Sequence, residues 1–113
     1  MHRYTIELRI VGQNLDPGEV TRTLGIEPSQ VRKKGDRRSE NSIWSENMWS
    51  FDVRPTSQSD WLSLEDGLVA LIKRFIPIRD RLKPYLQENN VFIWCGHFTS
   101  SFDGGPVFFA PHY

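Results

Sequence analysis

The chain has 113 residues with 14 basic and 14 acidic side chains, which predicts one domain, residues 1–113, without a net charge that would attract polyanions or membrane surfaces. Its aromatic content of 12% is typical of a folding chain and excludes a disordered one. The single cysteine, Cys95, excludes an internal disulfide, and no apolar run is long enough to span a bilayer. We therefore expect a cytoplasmic protein that does not contact membranes.

The first predicted elements are a strand and a short helix. Apolar and polar side chains alternate over residues 4–11, which is typical of a half-buried strand. Asp16 followed by Pro17 is the pattern of a helix start, and Gly25 followed by Pro28 is that of a helix end. The sequence thus predicts a helix that begins after Asp16 and ends at Gly25.

An irregular, polar segment follows over residues 29–47. Val31 can hold a brief strand, and Gly35 with Asp36 predicts a turn. Regular alternation returns over residues 49–54, with Trp49 on the apolar face. We expect Trp49 in the core.

A long helix is predicted where apolar residues recur every three or four positions, with Ser57 or Ser59 as its cap. These apolar residues are Trp61, Leu64, Leu68, Leu71, Ile72 and Phe75. Pro77 opens a second helical piece, which Pro84 is expected to end or distort.

Residues 91–99 predict a central strand, because both of its faces are apolar. One face carries Val91, Ile93, Cys95 and His97, and the other carries Phe92, Trp94 and Phe98. Which face the helices cover is left open. A turn is predicted over residues 102–106. The tail that follows is too short for a helix plus a strand.

The predicted order is β-α-(β)-β-α-α-β. Helices that cover one side of a small antiparallel sheet bury these apolar faces most simply. We therefore predict an α+β fold with helices on one face of the sheet, a ferredoxin-like sandwich.

Four short motifs carry a family resemblance. Residues 15–17, 24–28, 35–36 and 49–51 read Leu-Asp-Pro, Leu-Gly-Ile-Glu-Pro, Gly-Asp and Trp-Ser-Phe. In this order they resemble the bacterial domain-of-unknown-function 4279 family. The resemblance implies no particular activity. It also implies a further helix and strand after the Gly104–Gly105 turn, so either the chain is a member shortened at its C-terminus or its C-terminal part has been lost.

The candidate partner-binding residues are a basic run and two tryptophans. They are Arg32, Lys33, Lys34, Asp36, Arg37, Arg38, Trp44 and Trp94. The run can bind acidic groups, although a merely solvated loop is the more common outcome for such runs. An exposed Trp44 would suit a protein interface, whereas burial at a sheet edge is the alternative.

No catalytic, cofactor or metal motif is recognisable, so we expect a protein that is not an enzyme and binds no cofactor. Cys95 and His97 share a strand face, but a metal site would need His112 or Asp103 as well. An ordinary structural role for this pair is favoured. An enzyme acting through Asp36, Arg37 and His97 is the weakest hypothesis.

Two functions remain open. The first is a non-enzymatic protein-binding domain, with toxin neutralisation of the immunity type as its narrower form. The alternative is a single-stranded RNA-binding domain that uses the sheet aromatics and the basic loop, although the zero net charge disfavours nucleic acid. One edge of the strand at 91–99 is expected to have no neighbouring strand. We therefore also predict a homodimer with residues 91–113 at the contact.

Overall fold

A computed structural model of the chain describes residues 2–56, 60–100 and 106–112, and for residues 99–100 and 106–112 it describes the main chain alone. The elements are β1 (His2–Gly12), α1 (Pro17–Leu24), β2 (Gln30–Arg32), β3 (Arg37–Ser39), β4 (Ser42–Ile43), β5 (Asn47–Val53), α2 (Leu64–Phe75), a 3₁₀ helix (Ile76–Ile78), α3 (Arg79–Glu88), β6 (Asn90–Ser100) and β7 (Pro106–His112).

The strands form a five-stranded sheet in the order β2-β5-β1-β6-β7 and a separate pair, β3-β4. β2 pairs antiparallel with β5, and β6 pairs antiparallel with β7. The α+β prediction is confirmed, and the order β1-α1-β2-β5-α2-β6 matches the β-α-β-β-α-β pattern of ferredoxin-like folds. Within the described residues, no helix has the length and apolar character needed to cross a bilayer.

The chain divides into two compact units, and a single domain remains a prediction. The first unit comprises Met1–Leu8, Asp52–Pro77 and Ile93–Tyr113; the second comprises Arg9–Phe51 and Ile78–Phe92.

In the first unit, α2 packs on β1 through a glycine. Gly67 lies against Ile6 and the Trp61 ring, and Ile6 is fully buried. Trp61 and Tyr4 exchange main-chain hydrogen bonds of 2.7 and 2.9 Å. The Trp61 Nε1–H donates to the Val53 carbonyl at 2.8 Å. Trp61 therefore joins β1 to β5 ahead of α2, rather than lying inside the helix as its spacing predicted.

Two contacts in the first unit show which face of β6 lies on the helix side of the sheet, a question that the sequence left open. The His97 ring stacks on Tyr4 with centroids 4.7 Å apart. On the opposite face, the Thr5 side chain lies over Gly96. Since β1 and β6 both alternate, His97 shares the face of Ile6, which α2 covers, and Trp94 lies on the other face.

In the second unit, the core forms around Trp49, which is fully buried as predicted. Its Nε1–H donates to the Thr21 hydroxyl of α1 at 3.1 Å. Asp16 caps α1 by accepting hydrogen bonds from the main-chain N–H groups of Gly18 and Glu19, at 3.0 and 3.3 Å. Gly25 ends the helix with φ of 70°, a conformation that glycine adopts without strain. The predicted bounds of α1 are confirmed.

Two predictions about the helices and the sheet edge are wrong, and a third is wrong in part. Ser63 caps α2, since its hydroxyl accepts from the Asp66 N–H at 3.4 Å, whereas Ser57 and Ser59 lie outside the described residues. Pro84 lies inside α3, so the helix does not end there, and the distortion given as the alternative stays a prediction. β6 has no uncovered edge, because the tail adds β7 beside it. Most of the turn predicted at 102–106 lies outside the described residues.

Candidate functional site

Residues 32–44 form a two-stranded projection of the second unit, named here the basic arm. Its turn is closed by a 3.0 Å hydrogen bond from the Asp36 N–H to the Lys33 carbonyl, and Gly35 has φ of 92°. The Trp44 main chain returns alongside, exchanging 2.9 Å bonds with the Gly35 N–H and the Asp36 carbonyl. The short strands β3 and β4 then pair with Arg37 opposite Ile43. The turn predicted at Gly35 and Asp36 is confirmed.

The base of the basic arm is tied to the loop between β1 and α1 by one side chain. The Asn47 carboxamide oxygen accepts from the Lys34 N–H at 2.7 Å. Its amide nitrogen donates to the Leu15 carbonyl at 2.9 Å. Because one planar carboxamide group makes both bonds, the basic arm is anchored at Asn47, where β5 begins.

Two arginines of the basic arm lie on the Trp44 ring. The Arg32 guanidinium carbon is 3.9 Å from the ring centroid, and that of Arg38 is 4.8 Å from it. Both distances lie within the range of cation–π attraction. Trp44 is half-buried, which falls between the two alternatives that the sequence left open. The ring is thus part of the surface of the arm.

Most of the charged residues of the basic arm are exposed to solvent. Lys33, Lys34, Arg37 and Arg38 are exposed, as is Asp36. Residues 32–44 carry five cationic side chains and two carboxylates, in a chain whose total formal charge is zero. Of the eight predicted partner-binding residues, the structure brings seven together on this arm.

Trp94, the eighth, lies in the first unit and is held by a glycine. A Cβ at Gly96 would lie 3.0 Å from the Trp94 ring and 2.5 Å from the Thr5 hydroxyl. The ring therefore lies flat beside the main chain of its own strand, on the face away from Ile6. Trp94 is half-buried there.

A chain of charges surrounds Arg54 in the first unit. Its guanidinium pairs with Asp52 at 2.6 Å and with Asp60 at 3.1 Å, and Arg3 lies 3.8 Å from Asp60. Burial raises the pKa of Asp52 above its ordinary value; Arg54 opposes that shift, and the carboxylates of Glu7 and Asp60 add to it. The alternation predicted over residues 49–54 puts Asp52 and Arg54 on one strand face, but the sequence does not indicate Asp60 as their partner.

The described residues give His97 and Cys95 different surroundings. His97 Nε2 lies 2.9 Å from His2 Nδ1, and burial raises the pKa of the Cys95 thiol, which disfavours the reactive thiolate. In the described part of the chain, no three His, Cys, Asp or Glu side chains are placed to share a metal ion. Asp103 and the side chain of His112 lie outside the described residues.

A cleft of about 960 Å³ in the second unit was missed by sequence reasoning. The loop after β1, the start of α1 and the end of α3 line it. Its charged lining residues are all acidic: Asp16, Glu19, Glu46 and Glu88. They come from separate segments of the chain, so no local pattern announces the cleft.

The chain thus combines an α+β fold with an exposed cationic projection. The chain belongs to the family described as domain of unknown function DUF4279, whose model matches residues 2–112. No curated protein and no solved structure matches the chain. The predicted family membership is confirmed, and the family description itself assigns no activity.

Proposed function

We propose that the chain is a non-enzymatic protein-binding module whose basic arm contacts an acidic surface of its partner. The observation that carries this proposal is the placement of the Arg32 and Arg38 guanidinium groups on the Trp44 ring. Tryptophan and arginine are over-represented among the residues that dominate binding energy at protein interfaces. Contact with the ring also preorganises the two arginines, which reduces the entropy lost on binding.

The charge of the basic arm gives the partner its chemistry. Lys33, Lys34 and Arg37 are exposed beside the ring. A cationic surface attracts a carboxylate-rich patch and accelerates encounter with it, and salt weakens both effects. The anchoring of Lys34 through Asn47 supports a fixed rather than a freely moving surface.

The narrower hypothesis is that the partner is a toxin, which the chain neutralises. Small α+β proteins of this kind act as immunity proteins, and the support for this step is analogy of fold alone. Once a partner has been captured, its own activity should be titrated with the chain. Stoichiometric inhibition that is lost with Trp44→Ala is the result expected of an immunity protein.

The test compares two double variants that remove the same charge. Arg37→Ala/Arg38→Ala changes the basic arm, and Arg79→Ala/Lys83→Ala changes the exposed side of α3. Tagged chains of each kind are used for affinity capture from the native host, with quantification by mass spectrometry. A partner retained by the wild type and the α3 variant but lost from the arm variant is expected. Circular dichroism checks that both variants fold. Equal capture by both variants would refute the role of the arm.

A single-stranded RNA-binding function is the second candidate. Trp94 supports it, because its ring lies against Gly96 on the face of β6 away from α2, as base-stacking aromatics do. Under this hypothesis, the cationic side chains of the basic arm contact phosphate groups, and these contacts do not depend on Trp94. The zero net charge of the chain weighs against this function.

RNA binding is tested with a fluorescein-labelled single-stranded oligonucleotide at low and moderate salt. If RNA is the ligand, Trp94→Ala and Arg37→Ala/Arg38→Ala should each weaken binding, and only the arginine variant should reduce the salt dependence. Absence of binding at low salt retires this candidate and leaves the protein-binding proposal standing.

A further inference from the structure

Helix α2 exposes an apolar surface on the side opposite its packed face. Gly67, Leu71 and Phe75 are buried, whereas Val69, Ile72 and Ile76 are exposed by 49%, 50% and 51%. Leu62, just before the helix, is exposed by 52%. An ordinary protein surface carries exposed aliphatic residues singly and scattered, whereas four half-exposed aliphatic side chains lie on and beside this one helix.

The residues around Val69 are arranged symmetrically along the helix. Glu65 and Lys73 lie four positions before and after it, within α2. Residues at this spacing share one side of a helix. Leu62 precedes the helix and Ile76 begins the 3₁₀ helix, so these two exposed residues lie beyond the ends of α2. The row through Val69 thus has an apolar centre with opposite charges on either side of it.

This row is complementary to itself when it is reversed. If two copies cross antiparallel at Val69, Glu65 of each copy faces Lys73 of the other. A two-fold axis produces each contact twice, as in the isologous interfaces of homodimers. A parallel crossing would place like charges together, so the charge pattern also selects the direction.

We propose that α2 is the contact of a homodimer, with two copies packed antiparallel about Val69. This surface is distinct from the basic arm, so the proposal does not depend on the proposed function. It also differs from the contact at residues 91–113 that the sequence predicted. A contact through one helix is small for a stable interface, so we expect a dissociation constant on the order of 10–100 µM.

Charge reversal provides the test. Sedimentation velocity across a dilution series should show the wild type passing from monomer to dimer. Glu65→Lys alone and Lys73→Glu alone each place like charges across the axis, so each should raise the dissociation constant by about tenfold or more. An equimolar mixture of these two variants restores both opposite-charge pairs and should dimerise again. The double variant Glu65→Lys/Lys73→Glu should dimerise by itself.

An apolar pair of variants supplies the matched control. Val69→Arg should abolish the dimer, whereas Leu86→Arg, at a residue of α3 that is 54% exposed, should leave it unchanged. Thermal melts confirm that the variants fold. A wild type that remains monomeric at millimolar concentration overturns the proposal. So does a dimer that survives Val69→Arg, or a mixture of the two single-charge variants that stays monomeric.

Discussion

Gly67 of α2 approaches Ile6 of β1 so closely that a Cβ on the glycine would lie 2.5 Å from Ile6 Cγ1. The same Cβ would lie 3.1 Å from the Trp61 ring. Real Cβ atoms essentially never come within 3.0 Å of a neighbouring atom, and Gly67 and Ile6 are both buried. The absence of a side chain at Gly67 therefore determines how near the helix lies to the sheet in the first unit.

Gly67→Ala should destabilise the chain even though alanine is the better helix former. Propensity favours the substitution by up to about 1 kcal/mol, but overpacking against Ile6 costs about 1–3 kcal/mol. Gly18→Ala is the matched control, because its Cβ would meet only the Asp16 carboxylate at 3.3 Å and the Arg22 side chain at 3.5 Å. Urea denaturation should show a loss for Gly67→Ala and no loss for Gly18→Ala. Equal effects would mean that α2 is not in close contact with Ile6.

The hydrogen bond between Trp49 and Thr21 should be measurable by a double-mutant cycle. Thr21→Val removes the acceptor and leaves the buried indole N–H unsatisfied, at a cost of about 1–3 kcal/mol. In a Trp49→Phe background that donor is already absent, so Thr21→Val should cost clearly less. Equal costs of Thr21→Val in both backgrounds would show that the pair contributes no coupling energy.

Asp16→Ala should lower the free energy of unfolding by about 1 kcal/mol, because it leaves the N–H groups of Gly18 and Glu19 without their acceptor. Asp80→Ala is a suitable control, since α3 has no side-chain cap. Thermal melts of the two variants should differ, with the lower midpoint for Asp16→Ala. Indistinguishable midpoints would contradict the capping role of Asp16.

The features that the sequence predicted correctly depend on local signals. Alternation over residues 4–11 predicts a strand because one face of it must be buried, and Asp16 and Gly25 bracket α1 because few residue types cap helices. The start of α2 was predicted too early, since Trp61 continues the helical spacing. Its indole and main chain bond Val53 and Tyr4 instead, and these are tertiary contacts that spacing alone does not encode.

The apolar spacing of α2 also overstated its core. Leu71 is buried, but Leu68 is only half-buried and Ile72 is half-exposed. A loss of several kcal/mol is therefore expected for Leu71→Ala, and a smaller loss for Leu68→Ala. Periodicity identifies an apolar side of a helix, but the width of the buried strip depends on the surface that faces it.

The candidate site was predictable in its residues but not in its geometry. A basic run beside Trp44 is visible in the sequence, whereas the stacking of Arg32 and Arg38 on its ring requires the main-chain pairing of the basic arm. The acidic cleft was not predictable, because it joins residues from opposite ends of the second unit. Long-range side-chain placement is the information that single-sequence patterns lack.

Asp52 should make stability fall as pH rises. Burial raises its folded-state pKa above the ordinary value of 3.8, so the folded chain holds the proton more tightly than the unfolded chain. Between 3.8 and the raised value the folded state binds more protons, and the free energy of unfolding decreases with pH through that window. Below the window Asp52 is neutral in both states and carries no penalty.

Asp52→Asn isolates this contribution, because asparagine keeps the shape of the side chain and cannot ionise. Urea denaturation is measured from about pH 3.5 to about pH 7, a range that spans the ordinary carboxyl pKa of about 3.9. The variant should gain stability relative to the wild type as pH rises, and the difference should then reach a plateau. Arg54→Gln removes the opposing positive charge, so it should raise the Asp52 pKa further and extend the window upward. A difference between Asp52→Asn and the wild type that stays constant with pH would show that folding does not shift the Asp52 pKa. A difference that moves in favour of the wild type as pH rises would show that Asp52 is stabilised as a carboxylate in the folded chain.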